Sequence, residues 1–178
     1  MGLRAKVIEA MRKTRKTRAK LEAYILRIKN KERELMERLI EAQRNGDELR
    51  AKMYANEIAK LRKFLQTITA MEVKLEHAEL KLQSVLLLGD AGAALRPVVA
   101  EIKELAVPIK AMLPEIEEEM DELIDAVDRI AEEDVVGESF TDIFVDYEAQ
   151  KILNEAKVIA QKRLEESLAV ASGEGSKA

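Results

Sequence analysis

The sequence predicts an all-α protein built around one long antiparallel helical hairpin. Three observations carry that expectation. From Leu3 to Arg44 the chain contains neither Pro nor Gly, and a second such stretch runs from about Asp47 to Leu88 interrupted by neither. Only Asn45-Gly46-Asp47 separates the two, and so short a connection forces them to lie antiparallel. The composition agrees, with 47% hydrophobic but only 3% aromatic residues, 36% charged residues, 7 Gly and 3 Pro. That is an aliphatic, helix-rich chain with few loops.

In the first stretch, apolar residues recur at Leu21, Ile25, Ile28, Leu35, Leu39 and Ala42, a heptad seam in which Glu32 takes the one missing place. Gly46 suits the left-handed position that ends a helix, and Asp47 suits the N-cap of the next. The second seam, Leu61, Phe64, Ile68, Met71, Leu75, Ala78, Leu82 and Val85, alternates steps of three and four without a fault. At ~1.5 Å per residue each helix is about 60 Å long. A lone hairpin of that length leaves apolar edges bare, so further helices or further copies are expected along it.

Gly89-Asp90-Ala91-Gly92 marks a second break. A third helix is expected over 93–112, with Pro97 in its first turn and Pro108 kinking or ending it. A fourth is expected over 114–133. Pro114 opens it, Glu115, Glu117 and Glu118 sit favourably at its positive end, and its apolar face runs from Ile116 through Met120, Leu123, Ile124 and Val127 to Ile130. Residues 134–144 read as a linker, 145–171 as an amphipathic C-terminal helix, and 172–178 as a disordered tail. The parts are thus a basic N-terminal segment over 1–20 continuous with the first helix, a helical core over 21–133 (hairpin 3–44/47–88), the linker, and the terminal helix.

Composition narrows the chemistry. There is no Cys and 1 His, which excludes disulfides and thiolate metal sites and disfavours a His-based centre or triad. No Gly-rich phosphate loop, HExxH or nucleophile elbow occurs. His77, between Glu76 and Glu79, reads as a solvated surface histidine. The acidic run Glu115 to Glu122 lacks EF-hand spacing and reads as a solvated face. No catalytic residue, cofactor or metal site, and no small-molecule substrate, is expected. No apolar run is long enough to span a bilayer and no signal-peptide core is present.

The net charge of −4 conceals a strong asymmetry. Residues 1–63 hold 19 Lys and Arg against 9 Asp and Glu, whereas residues 113–148 hold 1 against 15. The acidic block can compete for whatever the basic part binds, within one chain or from a neighbour. Arg4, Lys6, Arg12, Lys13, Arg15, Lys16, Arg18 and Lys20 surround a thin apolar stripe of Leu3, Val7, Ile8 and Met11. This is the pattern of a helix lying on anionic membrane. A solvated basic extension of the first helix is the second reading. Nucleic acid ranks last, because no aromatic residue interleaves the cations to stack on bases. The C-terminal helix, with Ile152, Ile159, Arg163, Leu164 and Leu168, either packs back on the hairpin or offers a short motif to a partner's groove.

A long basic hairpin, two shorter helices, an acidic block and a tethered terminal helix resemble the ESCRT-III family, and within it the archaeal CdvB-type cell-division paralogs. The residues that carry the resemblance are Lys20 to Ile130, including Asn45-Gly46-Asp47 at the tip and Leu95-Arg96-Pro97 through Leu113-Pro114-Glu115-Ile116-Glu117-Glu118-Glu119-Met120. The resemblance implies a cytoplasmic protein, peripheral at the inner face of the cell membrane at the division site. It implies filaments of this chain and of paralogs, held through the hairpin seams, that remodel anionic membrane. It further implies that the C-terminal helix is autoinhibitory or recruits an AAA ATPase of the CdvC type through its MIT domain. The alternative from the residues alone is a soluble coiled-coil scaffold that does not touch lipid.

Overall fold

The computed structural model describes residues 2–89, 95–132 and 142–175. The chain divides into two units, Met1–Gly137 and Glu138–Ala178. In the first, α1 (Leu3–Arg44) and α2 (Glu48–Leu88) form the hairpin. Its tip obeys the local chemistry. Gly46 takes φ 70°, the Asp47 N–H donates to Ala42 O at 2.9 Å, and the Gly46 N–H donates to Gln43 O at 3.2 Å. Those two bonds close a Schellman turn and satisfy carbonyls that the end of α1 would otherwise orphan. The Arg50 N–H then donates to Asp47 Oδ1 at 3.1 Å, which caps α2. At the far end, Gly89 at φ 67° terminates α2.

Helix α3 (Leu95–Met112), a 3₁₀ turn (Pro114–Ile116) and α4 (Glu117–Ala131) follow. Helix α3 runs on through Pro108 instead of ending there. The fourth expected segment is split: its first three residues are 3₁₀, and the α-helix begins at Glu117. The helices pack in a ring, α1 on α2, α2 on α3, α3 on α4 and α4 on α1. The shared core takes Leu21, Ile25 and Ile28 from α1 and Ile68, Leu75, Leu82 and Val85 from α2. It is closed by Val98, Ile102 and Ile109 of α3 and by Met120, Leu123 and Val127 of α4. Four helices therefore surround the half of the hairpin nearer its open end. Toward the tip only α1 and α2 remain, burying Leu35, Ala42, Ala51 and Ile58 between themselves.

The seam of α1 begins earlier than the sequence reading placed it. Val7, Thr14, Leu21, Ile28, Leu35 and Ala42 recur every seven residues and are all buried. Thr14 and Thr17 fit because their hydroxyls donate to the backbone of the preceding turn, to Ala10 O at 2.8 Å and Lys13 O at 2.9 Å. Glu32 is no defect, since it accepts from Arg62 Nε of α2 at 2.6 Å.

In the second unit, α5 spans Asp142–Gly175. It begins before residue 145 and continues past residue 171, so residues 142–144 are helix and not linker, and 172–175 are helix and not tail. Residues 134–141 of the expected linker and 176–178 of the expected tail lie outside the described residues. Ile152, Ile159, Leu164 and Leu168 of α5 are 44–61% exposed.

Replacing Asp47 by Ala removes the α2 cap and is expected to cost about 1 kcal/mol of stability in urea denaturation, whereas Asp47→Ser should lose little.

Candidate functional site

The cations singled out from the N-terminal stretch all lie on α1, and they separate into groups by the direction each faces. Arg15 and Arg18 meet α2. Arg15 Nε donates to Glu79 Oε1 at 2.5 Å. Arg18 donates through Nε and Nη2 to Glu72 Oε1 at 3.1 and 3.0 Å, bonds Glu79 through Nη1, and has Glu76 and Glu22 at 3.6 Å. Lys13, Lys16 and Lys20 meet α4. Lys13 and Lys16 share Glu122 Oε2 at 2.9 and 3.3 Å, and Lys20 pairs with Glu119. Farther along, Arg27 reaches Glu115 Oε2 at 3.4 Å and lies 4.8 Å over the Tyr24 ring. Arg12 pairs within its own helix, with Glu9 at 3.2 Å, and Arg4 is exposed.

The apolar stripe between those cations is occupied as well. Val7 is buried in the core, Leu3 and Met11 pack against it, and Ile8 is 36% exposed. In this conformation the stretch from Lys13 to Lys20 is the inner wall of the bundle's ionic contacts. The acidic block supplies the matching half: Glu119 is buried and Glu122 half-buried, both on α4.

Electrostatics follow the geometry. Burial disfavours charge on Arg18 and on Glu79, but their mutual hydrogen bonds outweigh it, raising the pKa of Arg18 and lowering that of Glu79. The hydrogen bond from Lys20 holds Glu119 below the usual carboxyl range, and those from Lys13 and Lys16 do the same for Glu122. Glu119 has its other oxygen, Oε2, buried without a partner, so Lys20 carries most of its compensation.

Sequence reading missed Glu72 and Glu79, both buried on α2. A signal for Glu79 existed, though none for Glu72. Asp47 is the midpoint in sequence of Arg15 and Glu79, of Arg18 and Glu76, and of Glu32 and Arg62, so counting outward from the turn pairs these charges. His77 is exposed as expected, with Nδ1 3.4 Å from Glu101 of α3. The hairpin residues Leu21, Ile25, Ile28, Leu35, Ile68, Leu75 and Leu82 are buried within this chain, and Leu39, Leu61, Phe64 and Met71 are half-buried. No group of His, Cys, Asp and Glu among the described residues is arranged to hold a metal ion, and no described helix is long and apolar enough to cross a membrane.

Arg18→Ala leaves Glu72 without its partner and Glu79 with Arg15 alone, and is expected to cost about 3 kcal/mol in urea denaturation. Arg12→Ala, which removes only an exposed pair, should change stability by less than about 0.5 kcal/mol. A carboxyl whose folded pKa lies below its ordinary value of 4.5 stabilises the fold above that pH, and the contribution is lost as pH falls through the folded value. Thermal stability is therefore expected to decline on acidification below about pH 4.5, with a shallower decline for Glu119→Gln/Glu122→Gln, as followed by circular dichroism.

The chain is 35% identical over 166 residues to Cell division protein B1 of Sulfolobus acidocaldarius, covering 92% of this chain and 78% of that protein. It is 29% identical over 164 residues to Cell division protein B of the same organism, covering 91% and 63% of the two chains. Cell division protein B3 is 27% identical over 161 residues, covering 90% and 94%. No protein-family model and no solved structure matches the chain.

Proposed function

The chain belongs to the archaeal cell division protein B family, and on that footing we propose that it is an ESCRT-III-like subunit that polymerises on anionic membrane at the division site and remodels it. One observation carries the mechanism. Lys13, Lys16 and Lys20, three of the eight cations that sequence alone assigns to lipid, here face Glu119 and Glu122 of α4.

Lipid phosphates and α4 carboxylates then compete for the same three amines. The conformation described is the one in which α4 holds them. Contact with an anionic bilayer favours release of α3 and α4, because each basic residue near such a surface gains on the order of 1 kcal/mol. Release also uncovers the seam of α1 and α2 that α3 and α4 now cover, and a neighbouring subunit can bury it in their place. Sulfolobus acidocaldarius carries several B-type relatives side by side, which supports co-assembly with paralogs. The apolar and basic side chains of α5, Ile152, Ile159, Arg163, Leu164 and Leu168, supply an autoinhibitory segment or a handle for an AAA ATPase of the CdvC type.

Vesicle pelleting tests the reading. Wild type is expected to sediment with anionic but not neutral vesicles, in a salt-sensitive way. Lys13→Glu/Lys16→Glu/Lys20→Glu is expected to weaken partitioning by about 100-fold, and Glu119→Gln/Glu122→Gln to strengthen it by freeing the amines. Equal pelleting of all three proteins rules out competition at this strip. A wild type that ignores anionic vesicles and forms a discrete oligomer is a soluble scaffold instead.

A further inference from the structure

Once the α1 lysines are paired, the described surface keeps two lines of charge that are largely unanswered among the described residues. On α2, steps of three and four from Lys60 to Ser84 trace one outward face that carries four lysines and no carboxylate. Lys60 pairs with Glu57 at 3.2 Å, whereas Lys63, Lys74 and Lys81 have no carboxylate partner among the described residues. Along α4, Glu118, Asp125 and the C-capping Glu132 just past its end recur every seven residues, all exposed and all without a cation partner among the described residues. Arg129 is the one cation of that helix. The two lines are of similar length, about 27 Å from Lys63 to Lys81 and about 21 Å from Glu118 to Glu132 at ~1.5 Å per residue.

Their placement matters as much as their signs. In the ring of helices α2 borders α1 and α3, and α4 borders α3 and α1, so α2 and α4 occupy diagonal corners and turn their solvent faces to opposite sides of the bundle. We propose that the lysine line of α2 in one copy docks on the carboxylate line of α4 in a second copy, joining bundles head to tail. Complementary faces on opposite sides of one molecule make a heterologous contact, which propagates as an open filament and does not close into a two-fold dimer. The contact leaves α4 in place on α1, because Glu118, Asp125 and Glu132 are not the carboxylates that hold Lys13, Lys16 and Lys20. It rests on the polymer reading given above and names a contact between subunits that forms before α3 and α4 are released.

A second copy explains more than a bilayer does. An anionic membrane would satisfy the lysines of α2 but, lying on the opposite side of the bundle from the α4 line, would leave that line unanswered. The second copy answers both lines at once. Exposed ion pairs are individually weak and are screened beyond a Debye length of about 8 Å at physiological ionic strength, so the contact is expected to form at low salt and dissolve at high salt.

The test is sedimentation and negative-stain microscopy of the full chain at low salt without lipid. Wild type is expected to form filaments. Lys74→Glu/Lys81→Glu and Glu118→Lys/Asp125→Lys should each reduce the pelleted fraction by about tenfold. An equimolar mixture of the two variants should restore it, because the acidic face of one copy then meets the basic face of the other in alternation. Variants that assemble as wild type does overturn the pairing of faces while leaving polymerisation standing. A wild type that pellets only with anionic vesicles, with loss confined to the α2 variant, assigns the lysine line to lipid and overturns the proposal. A wild type that assembles neither with nor without vesicles overturns this contact and the polymer reading together.

Discussion

A guanidinium whose side chain is only 18% exposed has to be paired, and Arg18 meets that requirement with Glu72 and Glu79 of the opposite helix. The rest of the first unit depends on this contact. Apolar heptad seams hold two helices together but tolerate slippage by a turn. A charged cluster does not, because a slip strands the arginine or the carboxylates in a poorly solvated place. Fixing α1 against α2 fixes which side of α1 is left for a third neighbour. That side carries Lys13, Lys16 and Lys20, and it accepts α4, whose Glu119 and Glu122 stand at matching intervals.

The packing explains why a chain with so few aromatic residues builds a core at all. Leu, Ile and Val from four helices interdigitate where the ring is closed, and small residues such as Ala10 and Ala78 let the helices approach. Thr14 and Thr17 extend the seam through the most basic part of α1 without stranding a hydroxyl. The one aromatic pair of the bundle, Tyr24 with Phe64 at 6.3 Å, lies near the edge of the region that four helices share. Beyond it toward the tip the hairpin is held by narrow aliphatic contacts and by Glu32 with Arg62.

Much of this was legible in the sequence. The hairpin, its turn and the acidic α4 follow from helical periodicity, one Gly at a left-handed position and the scarcity of breakers, all of which are local signals. Pro108 does not end α3, because a proline's cost to a helix is set by its neighbours, and here α3 is held by packing against α2 and α4. The eight cations of the N-terminal stretch are ambiguous in a different way. A helix with basic flanks and an apolar stripe has the same pattern whether its partner is a bilayer or two acidic helices, so the acidic partners on α2 and α4 were not legible in it. Glu79 was concealed because a carboxylate in a heptad reads as solvent-facing until the opposite helix is counted back from Asp47, and Glu72 because that count sets it against Glu22 and not against Arg18.

The bare half of the hairpin has a mechanical consequence. Helix α1 is one continuous rod of 42 residues, clamped between α2 and α4 at its base and held by a single companion toward its tip. Resistance to bending rises steeply with the thickness of a beam, so the base behaves as a stiff block and the outer part as a cantilever. A sideways load at Gly46 is taken up first in that outer part, and α1 carries what remains as torque into the ion pairs at its root. Compliance and anchorage thus lie on the same helix, roughly a heptad or two apart.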